Sequence, residues 1–511
     1  MERQSRLYKR LAEKYRGHNS NQAWLCYENA LYHDAKEPDG EGRENFCQEC
    51  CSEMKLLEKE PDFAVAKTAI VLLSYNHGEL TKACIESIRQ NCAPESYELI
   101  VVDNASTDGI QEWLRRQEDI RLIENQENQG FPAGCNQGIA LAQEDADIFL
   151  LNNDTIVPEN AIFWLRMGLY EEERIGATGS VSNRVVNYQQ VPQQFETTEE
   201  WLEFAAKNNV PMEHPYEKKS WLVGFAMLIK RTALEDVRIR ERELCGGGQV
   251  EILDTRFSPG NFEDNDLSIR LLLAGYGLRL VKNSFIFHYG SKAFQKVPRR
   301  FIALLQDNRS KLAEKYGMDL VPASKVEMSL VDMVQPLAPS FSVLEIGCKL
   351  GATLARIESL YPGAEVLGIE ENVLLARLAG EVTSVICAKF PDTPVEGSFD
   401  YVIIDGLLSA QSENLLYQAG DCLKAGGKIL ASVRNTQCVC ELEPGQEGVG
   451  ATLDEITQLC NRCMLQIRSF HYRPAELSEA DRQRVSELCG GWDSPQRPLY
   501  EAETFIFELG I

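Results

Sequence analysis

The sequence predicts an α/β protein: two successive sheets, each alternating strands with amphipathic helices, behind a short helical segment. Three observations carry that expectation. Apolar runs such as KTAIVLLSYN, YELIVVDNAS and ADIFLLNND alternate with helical patterns between residues 65 and 322. The alternation starts afresh after the proline-bearing stretch VQPLAPSFS, in FSVLEIG, AEVLGIEE and FDYVIID. Polar clusters fall at the strand ends, where ligands bind in parallel sheets. The texture divides the chain into residues 1–64, 65–322 and 335–511.

The chain has 511 residues, 44% hydrophobic and 25% charged, an ordinary globular balance with enough apolar material for several cores. Its 52 basic and 77 acidic residues leave a formal charge of -25. A field of that sign repels nucleic acid and anionic lipid, so no nucleic-acid partner is expected. A phosphate-bearing substrate then needs a metal ion or a basic pocket. No run of about 20 apolar residues exists, so no transmembrane segment is expected. The opening MERQSRLYKRLAEKYRG is basic with no apolar run behind it, so the expected location is the cytoplasm. There are 16 cysteines. Cys47/Cys50 and Cys460/Cys463 have the spacing of zinc ligands, but no histidine accompanies either pair, and ordinary thiols are the better reading.

Residues 1–64 carry helical patterns in RLYKRLAEKYRG, NQAWLCYENALYHDA and ENFCQECCSEMKLLEKE, with Pro38, Gly40 and Gly42 breaking the run before the third. In the next segment the runs are continuously apolar, which implies a parallel sheet covered on both faces. The strand end VVDNASTDG carries Asp103 and Asp108; Asp108 suits a helix cap, Asp103 less so. In NQGFPAGCNQGI, Gly130, Gly134 and Gly138 permit close backbone approach to a ligand. FLLNNDTIVPENAI delivers Asn152, Asn153 and Asp154 at a buried strand's end, oxygen ligands that suit a hard divalent ion. GNFEDNDLSIRLLLAG crowds Glu263, Asp264 and Asp266 into four positions. Like charges that close raise one another's pKa, and one of them can serve as a general base. His288 ends the apolar run SFIFH.

In order and spacing, SYN, VVDNASTDG, NQGFPAGCNQGI, FLLNNDTIVPENAI, FEDNDLSIRLLLAGYGLRLV, FHYGS and the tail DNRSKLAEKYG resemble a family 2 glycosyltransferase of the GT-A fold, rhamnosyltransferase-like in kind. The resemblance implies roles. Tyr75, Asn76 and Asp103 would hold the nucleoside. Asn128, Gly130 and Asn136 would line the nucleotide and diphosphate loop. Asn152-Asn153-Asp154 stands where the family has its DxD motif, with Asp154 as the metal-facing carboxylate and His288 completing the metal or diphosphate site. Asp264 would be the catalytic base, supported by Glu263 and Asp266.

In the last segment, VLEIGCKLGATL resembles motif I of class I methyltransferases, which bind S-adenosylmethionine. Glu345, Gly347 and Gly351 match, whereas Lys349 stands at the family's central glycine. Glu370, in VLGIEEN, would meet the ribose hydroxyls, and Asp405 and LKAGGKILASVRN match later motifs. Cofactor binding by this segment stays open.

The resemblances together imply inverting transfer of a sugar from a nucleotide-sugar donor, with Mg2+ or Mn2+, to a glycan or to a protein such as flagellin. Two alternatives stand beside it: a bifunctional chain that also methylates with S-adenosylmethionine, and a noncatalytic assembly protein built on both folds.

Overall fold

The structure is a computed structural model. It describes residues 3–38, 43–239, 251–290, 298–393, 395, 397–441, 449–491 and 493–510. Gly40, Gly42 and Ser291 of the FHYGS run lie outside the described residues. The chain forms two compact units, Met1–Val321 and Pro322–Ile511. No helix among the described residues is long and apolar enough to cross a membrane.

In the first unit the helices Gln4–Tyr15, Ser20–Lys36 and Arg43–Leu57 precede the sheet. Asn19 caps the second by accepting the Gln22 N–H at 2.9 Å. That helix packs on the helix Ala161–Leu169: Gln22 donates to the Met167 carbonyl at 2.8 Å, and Glu28 pairs with buried Arg166. Tyr8, Phe163 and Trp164 share one apolar core, so the N-terminal helices are part of this unit's packing.

Ten strands follow: β1 (Thr68–Ser74), β2 (Tyr97–Asp103), β3 (Ile120–Glu124), β4 (Asp147–Asn152), β5 (Thr155–Ile156), β6 (Ile175–Val181), β7 (Tyr216–Lys218), β8 (Ala226–Ile229), β9 (Gly277–Phe285) and β10 (Phe287–His288). Eight of them form one sheet in the order β3-β2-β1-β4-β8-β6-β9-β7; β5 and β10 form a separate two-stranded ribbon. The sheet is mixed, not wholly parallel as expected: β8 runs antiparallel to β4 and β6, and β7 antiparallel to β9. Continuous apolar burial hid this, because a strand covered on both faces reads the same in either direction.

Register aligns the ends that matter. Ser74 lies opposite Asp103, and Leu73 opposite Asn152. Gly134 and Gly138, expected to face a ligand, face the sheet: a Cβ there would stand 2.3 Å from Leu73 and 2.4 Å from Val71. These glycines let the helix Phe131–Leu141 lie flat on β1.

The second unit has β11 (Phe341–Ile346), β12 (Ala364–Glu370), β13 (Val385–Cys387), β14 (Phe399–Asp405), β15 (Leu423–Arg434), β16 (Gln466–Pro474) and β17 (Ala502–Gly510). Their order is β13-β12-β11-β14-β15-β17-β16, with β17 antiparallel to both neighbours. The chain winds outward on one side of β11 and then restarts on the other, a doubly wound arrangement whose switch point lies between β11 and β14.

Candidate active site

The aligned carboxyl ends of β1, β2 and β4 build the first cluster. Asp103 is fully buried; one carboxylate oxygen accepts the Ser106 N–H at 3.0 Å and the Gln111 amide at 2.8 Å. Its Oδ1 has no hydrogen-bond partner. A buried acceptor left open in this way is costly, and a donor N–H or hydroxyl from a nucleoside would satisfy it. Asn76 is in the left-handed region (φ 55°) and accepts the Thr107 N–H at 2.9 Å, so its side chain shapes the loop. Tyr75 is exposed beside it.

Asn104, a member of the strand-end polar cluster to which the sequence assigned no role of its own, is the hub of the next loop. It donates to Asn128 at 2.8 Å and accepts the Gln129 N–H at 2.9 Å. Asn128 in turn accepts the Gly130 N–H at 2.9 Å, and Gly130 takes a positive φ of 82°. Asn136 does not face this loop: its amide accepts the Leu253 N–H and donates to the Leu253 carbonyl, both at 2.8 Å, so it anchors the segment at 252–253. Asp108 accepts the Gly78 N–H at 2.8 Å and serves as a loop anchor.

β4 ends in Asn152, and a turn leads through Asn153 and Asp154 into β5. Asn153 donates to Thr81 at 2.9 Å. The β5–β10 ribbon sets His288 opposite Thr155, which brings its imidazole to Asp154: Nε2 stands 3.2 Å from Oδ1. This contact lacks hydrogen-bond geometry, and the buried Nε2 has no hydrogen-bond partner. On the other side Nδ1 lies 2.8 Å from the Arg184 carbonyl. A carbonyl can only accept, so Nδ1 carries a proton; in the neutral ring the Nε2 lone pair then faces a carboxylate oxygen. Two acceptors at that distance call for a cation between them, and a ring held by its other nitrogen is how metal-binding histidines are oriented. The pair therefore fits a divalent ion. Among the described residues no group of three or more His, Cys, Asp or Glu gathers around one point, so an ion here needs further oxygens from a ligand.

The carboxylate run opens the helix Glu263–Leu273. Asp264 is half-buried; its Oδ2 accepts the Gly224 N–H and its Oδ1 the Asn265 N–H, each at 2.9 Å. Burial pushes the Asp264 carboxyl up, against those two backbone donors. Burial, with Asp264 beside it, pushes Glu263 up much further, and Glu263 Oε2 has no partner. Of the two, Glu263 is pushed the further toward its neutral form. Asp266 is fully buried, and its carboxylate is occupied: Arg270 at 2.8 Å, Lys315 at 2.6 Å and the Tyr316 hydroxyl at 2.8 Å. Expected to support Asp264, it instead ties the helix Pro298–Tyr316 to its own helix.

A dipeptide absent from the sequence expectations joins the two clusters. Gly224 presents its N–H to Asp264, and a Cβ at Gly224 would stand 3.2 Å from the Asp264 Cβ. Its neighbour Phe225 accepts the Asn152 N–H at 2.8 Å and stacks on His288 at 5.2 Å. The base candidate and the metal candidates thus sit against adjacent residues. The only sequence signal was a lone glycine inside the apolar run WLVGFAMLIKR. A cavity of about 590 Å³ lies elsewhere, between the N-terminal helices and the amino ends of β1 and β2, lined by Trp24, Phe63, Lys67 and Pro94.

In the second unit, Gly347 and Gly351 both take φ 71°, and Lys349 between them takes φ 56°. Glu370 accepts the Lys349 N–H at 2.8 Å and the Asn372 N–H at 2.9 Å. Glu345 is buried with one oxygen unpartnered; burial, and then Asp405, push its carboxyl well up. The Lys349 ammonium is bonded to Asp405. Burial disfavours that ammonium, but Asp405 more than offsets it and the lysine stays charged. The two CxxC pairs lie in separate units, with Cys50, Cys460 and Cys463 buried as free thiols.

Residues 69–238 match the family model described as glycosyl transferase family 2. Glycosyltransferase AglE of Haloferax volcanii is 25% identical over 187 residues, 36% of this chain and 58% of that protein. The chain spans 16% and 58% of the lengths of two curated relatives it matches. Among solved structures, the mannosyltransferase PcManGT from Pyrobaculum calidifontis, in complex with GDP-Man and Mn2+, aligns with TM-score 0.34 and 15% identity over 64% of this chain and 79% of that one. An O-methyltransferase from a trans-AT PKS multienzyme of Brevibacillus brevis, in complex with S-adenosyl-L-homocysteine, aligns with TM-score 0.27 and 16% identity over 37% and 73%. The segment from 69 to 238 thus carries a glycosyl transferase family 2 domain.

Proposed function

We propose that the chain is a metal-dependent, inverting glycosyltransferase that moves a sugar from a nucleotide-sugar donor to a hydroxyl of a glycan or protein acceptor. The observation that carries this reading is the Gly224–Phe225 dipeptide, which packs the ionisable Asp264 and the Asp154–His288 pair against adjacent residues at the sheet's carboxyl end. Asp103 Oδ1 accepts a nucleoside donor group, and Asn128 with Gly130 shapes the loop beside it. Asp264, whose two oxygens accept the Gly224 and Asn265 N–H groups, takes the proton of the acceptor hydroxyl. The acceptor oxygen bonds to the anomeric carbon as the bond to the nucleoside diphosphate breaks. Asp154 and His288 would hold a divalent ion, which would offset the charge of that leaving group.

The test is nucleotide release from UDP-, GDP- and dTDP-sugars with Mg2+ or Mn2+ and with EDTA, beside Asp154→Ala. One donor turned over, dependent on metal and on Asp154, supports the reading and tells hexose from deoxyhexose. Turnover that persists in EDTA and in Asp154→Ala refutes the metal site.

A further inference from the structure

We propose that Lys349 is a built-in cation that takes the place of a positively charged ligand in the strand-end cleft of the second unit, so that this unit does not bind S-adenosylmethionine.

Three observations lead there. The first is backbone. Position 349 is left-handed at φ 56°, between two left-handed glycines, and a side chain in that region costs about 1–2 kcal/mol relative to glycine. The second is placement. Glu345 stands one residue before the end of β11 and Asp405 ends β14, and those strands are adjacent. The bond from Lys349 to Asp405 therefore spans the switch point, where a doubly wound sheet takes its ligand.

The third is the state of the carboxylates. Asp405 is held by Lys349 and also accepts the Ser432 hydroxyl. Glu370 has both oxygens on backbone N–H groups. Glu345 keeps one open oxygen, buried beside the lysine. S-adenosylmethionine brings a sulfonium and an ammonium against one carboxylate, a net positive ligand. It would meet a resident cation, with Asp405 and Glu370 already engaged and only Glu345 holding an open acceptor. The residues present do not fit that cofactor, and Lys349 is the reason. This inference is independent of the sugar-transfer reading, and it favours a single activity over a bifunctional chain.

Equilibrium binding of S-adenosylmethionine and of S-adenosylhomocysteine to the full chain tests it, with folding of each variant followed by circular dichroism. Wild-type protein shows no saturation up to about 1 mM, the limit of a very weak complex. Lys349→Gly relaxes the backbone, frees Asp405 and removes the charge beside Glu345, and it binds at least about tenfold more tightly. Lys349→Met keeps the bulk and removes the charge; it gains roughly threefold or more and carries the test if the glycine variant fails to fold. Wild-type saturation below about 1 mM overturns the proposal, as does a folded variant of either kind with no gain in affinity.

Discussion

Asp264→Asn separates chemistry from folding at the first unit's site. In the wild type, each Asp264 oxygen accepts one backbone N–H, from Gly224 and from Asn265, at 2.9 Å. An asparagine keeps one acceptor and turns an NH2 group toward the other N–H. Leaving that donor unsatisfied costs about 1–3 kcal/mol. A term of opposite sign enters as well. Because burial raises the Asp264 pKa, the ionised carboxylate weakens the fold at neutral pH, and a neutral amide removes that cost. The two largely cancel, so the net change in stability stays within about 2 kcal/mol. The change in rate does not cancel. Loss of a general base lowers turnover by about 10²–10⁴, or about 3–5 kcal/mol of barrier. The assay is nucleoside diphosphate release with donor and acceptor, beside donor affinity by calorimetry and a denaturation curve. Transfer falls by that factor while donor affinity and stability hold. Transfer within about tenfold of wild type would refute the assignment, because the acceptor proton must then leave by another group.

Glu263→Gln mimics the neutral carboxyl toward which burial pushes Glu263, so it retains transfer, and its pH profile keeps an acid limb from Asp264 displaced above the ordinary carboxylate value of about 4. A loss of transfer as deep as that of Asp264→Asn makes Glu263 the base. The stability contributed by Glu263 is complete below its unfolded pKa of about 4.3 and is lost as pH rises through its raised folded value; Glu263→Gln removes that slope from pH-dependent denaturation. Asp266→Ala acts on folding alone. Removing a buried ion-pair partner costs about 3–5 kcal/mol, and the lower end applies because Lys315 keeps Asp254 at 2.8 Å and Arg270 keeps two carbonyls at 2.6 Å. Denaturant unfolding reads that loss; unchanged stability would place Asp266 in the chemistry after all.

The sequence by itself determined the class of the molecule. Apolar runs of strand length, separated by helical periods, admit little other than an α/β architecture, and the break at VQPLAPSFS marks where a second sheet begins. It also marked strand ends and a helix start, and so brought Asp103, Asn152-Asn153-Asp154 and the Glu263–Asp266 run to notice, because both are set by local pattern. Tertiary structure decided what each of these does. Asp264 and Asp266 are two positions apart and chemically equal, yet neighbours more than 30 residues away separate them: the Gly224 N–H turns one toward the site, and Lys315 with Tyr316 binds the other into the core. Asn136 reads like Asn128 and anchors a different loop. The direction of β8 and the stacking of Phe225 on His288 were likewise invisible, since burial leaves no record of strand polarity or of which distant ring a side chain meets. Lys349 shows both sides. The sequence marks it as a lysine at a glycine position, and only the fold shows that its ammonium reaches the carboxylate ending the neighbouring strand. The physical reason is the same throughout: backbone pattern is local, whereas charge state and contact depend on groups that the chain brings together only by folding.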